Sequence, residues 1–162
     1  MTTSILSHYD INQDTIALLP AKRIEYDTIV WERNDSLHVK QPMLSLIKEA
    51  CLEGGADYEG RRVAVIHKTG IQHKIPIPIQ PLQQIYAFPT HSPKLYECCW
   101  IFYHHIKSIQ HHPTKASESI ITFHNYRKLT LPISYAALEK QMHRTSYCIV
   151  RFSFQTLDRI LR

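Results

Sequence analysis

Glycine is scarce in this 162-residue chain, which contains only four. Neither a P-loop nor a dinucleotide-binding motif is present, because both need closely spaced glycines. No apolar run approaches the roughly 20 residues that cross a bilayer, so no membrane-spanning segment is expected. The N-terminus also lacks the basic and apolar regions of a secretory signal peptide. These absences predict a cytoplasmic protein with one domain over residues 1–162.

The residue patterns of enzymes are also missing. Neither cysteines nor histidines have the spacing of a zinc site, and the adjacent pair His104-His105 would point to opposite faces of a strand. No G-x-S-x-G nucleophile motif occurs, and no paired carboxylates lie in the second part of the chain. A Cys–His nucleophilic pair stays open at this point, but we predict no enzyme, no metal and no cofactor. In a reducing compartment the four cysteines are predicted to be buried thiols: Cys51, Cys98, Cys99 and Cys148.

Acidic residues become rare after residue 60. Residues 1–60 contain 5 Lys and Arg against 10 Asp and Glu, a net charge of −5, whereas residues 61–162 contain 14 against 4, a net charge of +10. Such asymmetry favours a polyanionic partner for the basic part. The alternative is a basic surface that serves only solubility.

The acidic part predicts β-hairpins and one helix. His8–Leu19 has two short apolar runs around a polar turn, which indicates a hairpin. Arg23–Trp31 alternates in polarity and predicts a strand, with Leu37–Val39 as its partner. Pro42 is then predicted as the first residue of a helix that a Gly-Gly pair ends.

A basic, proline-rich stretch follows, and it begins with a predicted helix. Asp57 is a suitable N-cap and Gly70 a suitable end. On this helix Val63 and Ile66 are expected to face the core. The alternation of Val63 and Val65 leaves a strand open as the alternative.

The remaining strands follow from proline and apolar patterns. Ile75–Ile79 contains two prolines, so it is predicted as an edge strand or a polyproline-like arm. Ile85–Phe88 is a further strand, and the apolar run Cys98–Ile109 is predicted as the central strand. Ser119–His124 and Lys128–Leu131 are predicted to form a hairpin.

A C-terminal amphipathic helix, with Ser134 as N-cap, has the clearest periodicity in the chain. Its predicted core face consists of Leu138, Met142, Thr145, Ile149 and Phe152. The opposite face is a basic stripe with one aromatic residue: Lys140, Arg144, Tyr147 and Arg151. A solvated face is the alternative interpretation of such a stripe. Together the patterns predict an α+β fold, mainly an antiparallel sheet of hairpins with about three helices.

Seven segments, in this order, resemble the competence transcription factor (ComK) family of Gram-positive bacteria, and they extend over nearly the whole chain. They are Tyr9–Pro20, Tyr58–Arg62, His73–Ile77, Gln84–Thr90, Cys98–Ile101, Leu129–Ser134 and Arg144–Tyr147. Each segment is weak evidence alone, but the ordered set with similar spacing is specific.

The resemblance implies a nucleoid-associated transcriptional activator of competence genes, which serve DNA uptake. Such a protein would recognise A/T-rich promoter boxes through the minor groove, bind as a homo-oligomer, and act on RNA polymerase indirectly. Adaptor-guided proteolysis stays open, because in the family it uses a longer tail, whereas this chain ends at Arg162, with only a short tail expected after the last helix. A second departure is the turn at Asn125, where the family has Asn-Gly. The alternative is a regulatory paralogue that binds an acidic protein and has weak or lost DNA binding.

Ten basic residues are the candidate nucleic-acid contacts, because Lys and Arg neutralise phosphates and Arg can enter a narrow minor groove. Arg61 and Arg62 are the primary candidates, and Arg61 and Lys68 are expected two turns apart on one exposed side of their helix. The full set is Arg61, Arg62, Lys68, His73, Lys74, Arg127, Lys128, Lys140, Arg144 and Arg151.

Overall fold

Two β-sheets and three α-helices build this α+β chain, for which the computed structural model describes the backbone of residues 4–161 and the side chains of residues 4–153. A seven-stranded sheet has the order β1-β4-β3-β2-β7-β6-β5, and a three-stranded sheet has the order β10-β9-β8. All neighbouring strands are antiparallel except the pair β1–β4. The strands are β1 Ile5–Leu6, β2 Thr15–Pro20, β3 Thr28–Glu32, β4 Ser36–Val39, β5 Ile77–Gln80, β6 Ile85–Pro89, β7 Trp100–Phe102, β8 Ile106–His111, β9 Ser119–Phe123 and β10 Lys128–Leu131. The helices are α1 Met43–Glu53, α2 Tyr58–Thr69 and α3 Tyr135–Leu161.

The predicted hairpin at His8–Leu19 is wrong, because residues 8–14 form no strand. Side chains anchor this segment instead. The Tyr9 hydroxyl lies 2.6 Å from the Thr15 hydroxyl and donates to the Glu32 carboxylate at 2.7 Å. Strand β2 pairs with β3, which follows it in the sequence, and with β7, which is distant in the sequence.

The β3–β4 hairpin and helix α1 are confirmed with small shifts. Strand β3 begins at Thr28 rather than at residue 23, and Pro42 is the N-cap of α1 rather than its first residue. Helix α1 ends at Glu53, and at its C-cap Gly54 a Cβ atom would lie 2.5 Å from the Ile79 carbonyl oxygen. Glycine therefore permits the close approach of α1 to strand β5.

Helix α2 confirms both predicted ends. The Asp57 carboxylate accepts a hydrogen bond from the Gly60 amide at 2.7 Å, and Gly70 ends the helix with a φ of 77°. Val65 is the buried residue, whereas Val63 is 52% exposed. Residues two apart on a helix point about 200° apart, so burial of Val65 turns Val63 to solvent. The strand alternative and the core position of Val63 are therefore wrong.

The apolar run Cys98–Ile109 is not one strand. Strand β7 lies inside the seven-stranded sheet, between β2 and β6, as predicted for a central strand. A 3₁₀ turn at Tyr103–His105 then carries the chain into the three-stranded sheet, where β8 begins. The predicted edge strand is confirmed, because β5 pairs only with β6.

The C-terminal third follows the prediction closely. The β9–β10 hairpin turns at Asn125–Arg127, where the Asn125 side-chain oxygen accepts from the Arg127 amide at 3.0 Å. Ser134 caps α3, since its hydroxyl accepts from the Ala137 amide at 3.2 Å. Helix α3 continues to Leu161, where a tail was expected, and Arg162 lies outside the described residues. The core face is confirmed, because its five predicted residues are buried or half-buried.

Two hydrophobic cores lie on the two faces of the seven-stranded sheet. Leu18 and Trp100 point into the first core, with residues of α1 and α2, while their neighbours Ala17 and Ile101 point into the second, with residues of the small sheet. Consecutive strand residues alternate between faces, so each central strand serves both cores. All four cysteines are buried and free, as predicted.

Candidate nucleic-acid interface

The loop that follows helix α2 packs against helix α3. The Gln141 side-chain amide donates to the carbonyl oxygens of Lys74 and Pro89, at 2.9 and 2.8 Å. Arg144 donates to the carbonyl oxygen of His73 at 3.2 Å. These bonds fix the loop beside the basic stripe of α3, which the sequence could not show because the partners lie 52 to 71 residues apart.

The end of α2 reaches the same helix. The Lys68 ammonium lies 5.6 Å from the centre of the Phe152 ring, a cation–π contact. The end of α2, the following loop and the basic stripe of α3 are therefore neighbours, and we call their basic residues the α2–α3 surface. Its members are Lys68, His73, Lys74, Lys140, Arg144 and Arg151.

The electrostatics of this surface suit a polyanion. Lys74, Lys140 and Arg151 are exposed, and Arg144 is half-buried. Within the described part of the chain, none of these four residues has a carboxylate within ion-pair distance. Their charges are therefore free to attract phosphate groups. Tyr147, 46% exposed, interrupts the stripe with an aromatic ring.

Arg61 and Arg62 lie elsewhere. Arg61 is half-buried, its guanidinium donates to the Gly54 carbonyl at 2.7 Å, and its Nε atom is buried without a partner among the described residues. The expectation that it shares an exposed side with Lys68 is wrong, because the side chain turns toward the end of α1. Arg62 forms an ion pair with Glu59 at 2.9 Å. DNA contact by this pair stays a prediction.

Arg127 and Lys128 lie at the tip of the β9–β10 hairpin, apart from the α2–α3 surface. The Arg127 guanidinium is 3.5 Å from the centre of the Trp31 ring. Burial lowers the pKa of Arg127, but an arginine stays charged at neutral pH. Beside it the Lys107 ammonium lies 4.2 Å from the centre of the exposed Tyr126 ring. Lys107 is absent from the predicted contacts, because only the strand register brings β8 next to this turn.

Metal-ligating chemistry is limited in the described part of the chain. There, one group, His8, Asp10 and Glu49, has side-chain ligand atoms within 4.8 Å of one another, and all three residues are exposed. Exposed acidic groups of this kind are common without a metal.

Across the described residues, no helix is both long and apolar enough to cross a membrane.

The fold and the basic face together define a small α+β protein in which helix α3 and the loop after α2 present positive charge without a carboxylate partner among the described residues. Residues 6–157 match the model of the family described as ComK protein. The chain is also 33% identical over 159 residues to the Competence transcription factor of Bacillus subtilis (strain 168). This alignment covers 93% of this chain and 78% of that protein. The chain therefore belongs to the ComK protein family. No solved structure matches it.

Proposed function

We propose that this chain regulates transcription of competence genes, as an activator that binds promoter DNA through the α2–α3 surface. The relative named Competence transcription factor supports the regulatory role. The observation that supports the location is that the end of α2 and the following loop, both with basic residues, pack against α3, which carries the basic stripe. Each cation that neutralises a phosphate releases counterions, and this release supplies affinity.

We further propose that the recognised boxes are A/T-rich and are read through the minor groove by a homo-oligomer. A narrow A/T-rich minor groove concentrates negative potential, which attracts inserted Arg and Lys side chains. The mixture of Arg144, Arg151 and the exposed ring of Tyr147 on one helix suits this mode, since such surfaces combine cations with wedging side chains.

The first experiment measures DNA affinity of the variant Lys140→Ala/Arg151→Ala by gel shift over a range of salt concentrations. We expect about tenfold weaker binding and a salt slope that is smaller by about two, because two phosphate contacts are lost. The matched control is Lys22→Ala/Lys48→Ala, which removes the same net charge from exposed positions in the acidic part. Equal weakening by both variants would show that net charge alone drives binding and would refute the α2–α3 surface.

The same titration with three duplex probes tests the groove. In one probe the A·T pairs of the box are replaced by inosine·C pairs, and in another by G·C pairs. Inosine·C lacks the guanine 2-amino group, so its minor groove resembles A·T while its major groove resembles G·C. We expect the inosine probe to bind like the original box and the G·C probe to bind weakly. Equal, salt-labile binding of all three would favour the regulatory paralogue that binds an acidic protein partner.

A further inference from the structure

Several connecting turns meet at one end of the two sheets and enclose an open cleft of about 700 Å³. The turns come from before β2, between β3 and β4, between β5 and β6, and between β9 and β10. The 3₁₀ turn that joins the two sheets completes the wall. We call this space the turn cleft. Its volume lies in the range of small-molecule sites in proteins.

Hydrogen bonds between distant turns hold the walls of the cleft in place. The Gln13 side-chain amide donates to the Gln83 carbonyl at 3.2 Å, and the His105 Nε2 atom lies 2.7 Å from the Gln13 carbonyl oxygen. The Asn125 side-chain amide donates to the Arg33 carbonyl at 2.9 Å. These bonds join residues that are 70 to 92 positions apart. The cleft is therefore largely pre-formed, which lowers the entropic cost of binding a ligand.

A second set of polar side chains in the cleft is not used by the fold. Asn34, Gln84 and His104 line the space, and all three are exposed. Among the described residues none of their side chains has a hydrogen-bond partner. Each amide offers a donor and an acceptor, and so does a neutral imidazole. Partial burial of the imidazole lowers the pKa of His104, although the residue as a whole is exposed, and this favours the neutral ring.

The floor of the cleft is apolar, and the charged arginine that lines the cleft is balanced by a nearby carboxylate. Phe102, Phe123 and Tyr86 contribute to the lining and are at most 2% exposed. Arg33 is the one lining residue with a fixed charge in the described part of the chain, and its Nε atom lies 3.6 Å from the Asp14 carboxylate. An anion would find no net attraction here, in contrast to the α2–α3 surface. The cleft suits an uncharged ligand.

We propose that the turn cleft binds a small, uncharged, planar ligand of the nucleobase class, such as a nucleoside. Nucleobases carry adjacent donors and acceptors on one edge, and a side-chain amide can pair with both at once. Asn34 and Gln84 supply such amides at the cleft, while the apolar floor covers the ring. This binding site shares no residue with the α2–α3 surface and does not depend on it.

The test titrates the full-length, ¹⁵N-labelled protein with adenosine, guanosine, cytidine and thymidine, each to about 1 mM. We expect at least one nucleoside to shift the side-chain amide signals of Asn34 and Gln84 in ¹H–¹⁵N spectra. The expected dissociation constant is on the order of 10–100 µM, from the usual affinity per ligand atom. If none of the four nucleosides shifts these signals, the proposal is overturned.

Substitutions decide whether the cleft itself is the site. Asn34→Ala and Gln84→Ala are each expected to weaken the binding about tenfold, because a hydrogen-bonding partner is lost. Gln84 has a φ of 57°, so Gln84→Asn serves as a second variant that tolerates this backbone and shortens the amide. Gln110→Ala, at an exposed position on β8 outside the cleft, is the matched control. Equal affinity in all variants would place the ligand elsewhere and overturn the proposal.

Discussion

Arg61 shows how a residue in a basic stretch can serve the fold. Sequence patterns mark it as a candidate DNA contact because Arg62 follows it and few acidic residues lie nearby. In the structure its guanidinium donates to the Gly54 carbonyl, which follows the end of helix α1. The loop between α1 and α2 brings this acceptor within reach. Such an acceptor is invisible in composition, because it belongs to the backbone.

We therefore expect Arg61→Ala to lower the free energy of unfolding by about 1–3 kcal/mol, since a hydrogen bond from a charged group is lost. Urea denaturation measures this change. Arg62→Ala is the matched control, because its exposed ion pair with Glu59 is worth at most about 1 kcal/mol. If Arg62→Ala destabilised the protein as much as Arg61→Ala, the bond to Gly54 would have no special role.

Helix α2 is the element whose ends the sequence predicts best. Asp57 and Gly70 end the helix through conformations and contacts within a few residues of themselves, so residue type and spacing predict both ends. Segment 8–14 shows the opposite case. Tyr9 is held by Glu32, 23 residues away, and no local pattern indicates that contact. The position of the α2–α3 surface is likewise non-local, because Gln141 and Arg144 bind carbonyl groups of a loop that the sequence leaves unplaced.

At the scale of this element, Asp57→Ala is expected to destabilise the protein by about 1 kcal/mol, because the Gly60 amide loses its acceptor. Thermal or urea unfolding gives the measurement. Asp57→Asn keeps a side-chain oxygen at the same place and should retain most of the stability. Equal losses in both variants would point to the charge of Asp57 rather than to the cap.

Over the whole molecule, the 3₁₀ turn after β7 decides the architecture. The apolar run that contains it predicts one long strand, yet the chain changes sheets there. His105 holds this junction, since its ring contacts the Gln13 carbonyl and its own carbonyl accepts from the His124 amide at 2.9 Å. Strand periodicity alone could not reveal the change, because both sheets bury apolar residues. The α+β class, the β3–β4 and β9–β10 hairpins and the C-terminal helix were predictable, but the division into two cores was not.

The same histidine gives the protein a pH dependence. Burial lowers the pKa of His105 below its ordinary value of 6.5, and it also lowers the pKa of His91. The unfolded chain therefore takes up protons at these two groups first as the pH falls through about 6.5, so their contribution to stability is full above that pH and is lost below it. We expect the free energy of unfolding to be lower at about pH 5 than at about pH 7.5.

Urea titrations at both pH values, with His105→Gln as the comparison, test this expectation. Glutamine can still donate to the Gln13 carbonyl but does not titrate, so the variant should lose less stability on acidification. The hydrogen bond to Asp10 raises the pKa of exposed His8, so His8 adds stability on acidification. This contribution is the same in both proteins and cancels when their losses of stability are subtracted. An identical acid response of wild type and variant would contradict the role of His105.

The two outer strands of the large sheet also limit how copies of this protein can associate. Strand β1 has two residues, and β5 carries Pro78, which has no amide hydrogen to donate. Helices α1 and α2 additionally pack against β5. Among the described residues, neither outer strand has a long row of unpaired backbone groups, so the large sheet cannot easily be extended across two molecules. Any association of copies would therefore use side chains or the three-stranded sheet rather than an extension of the large sheet.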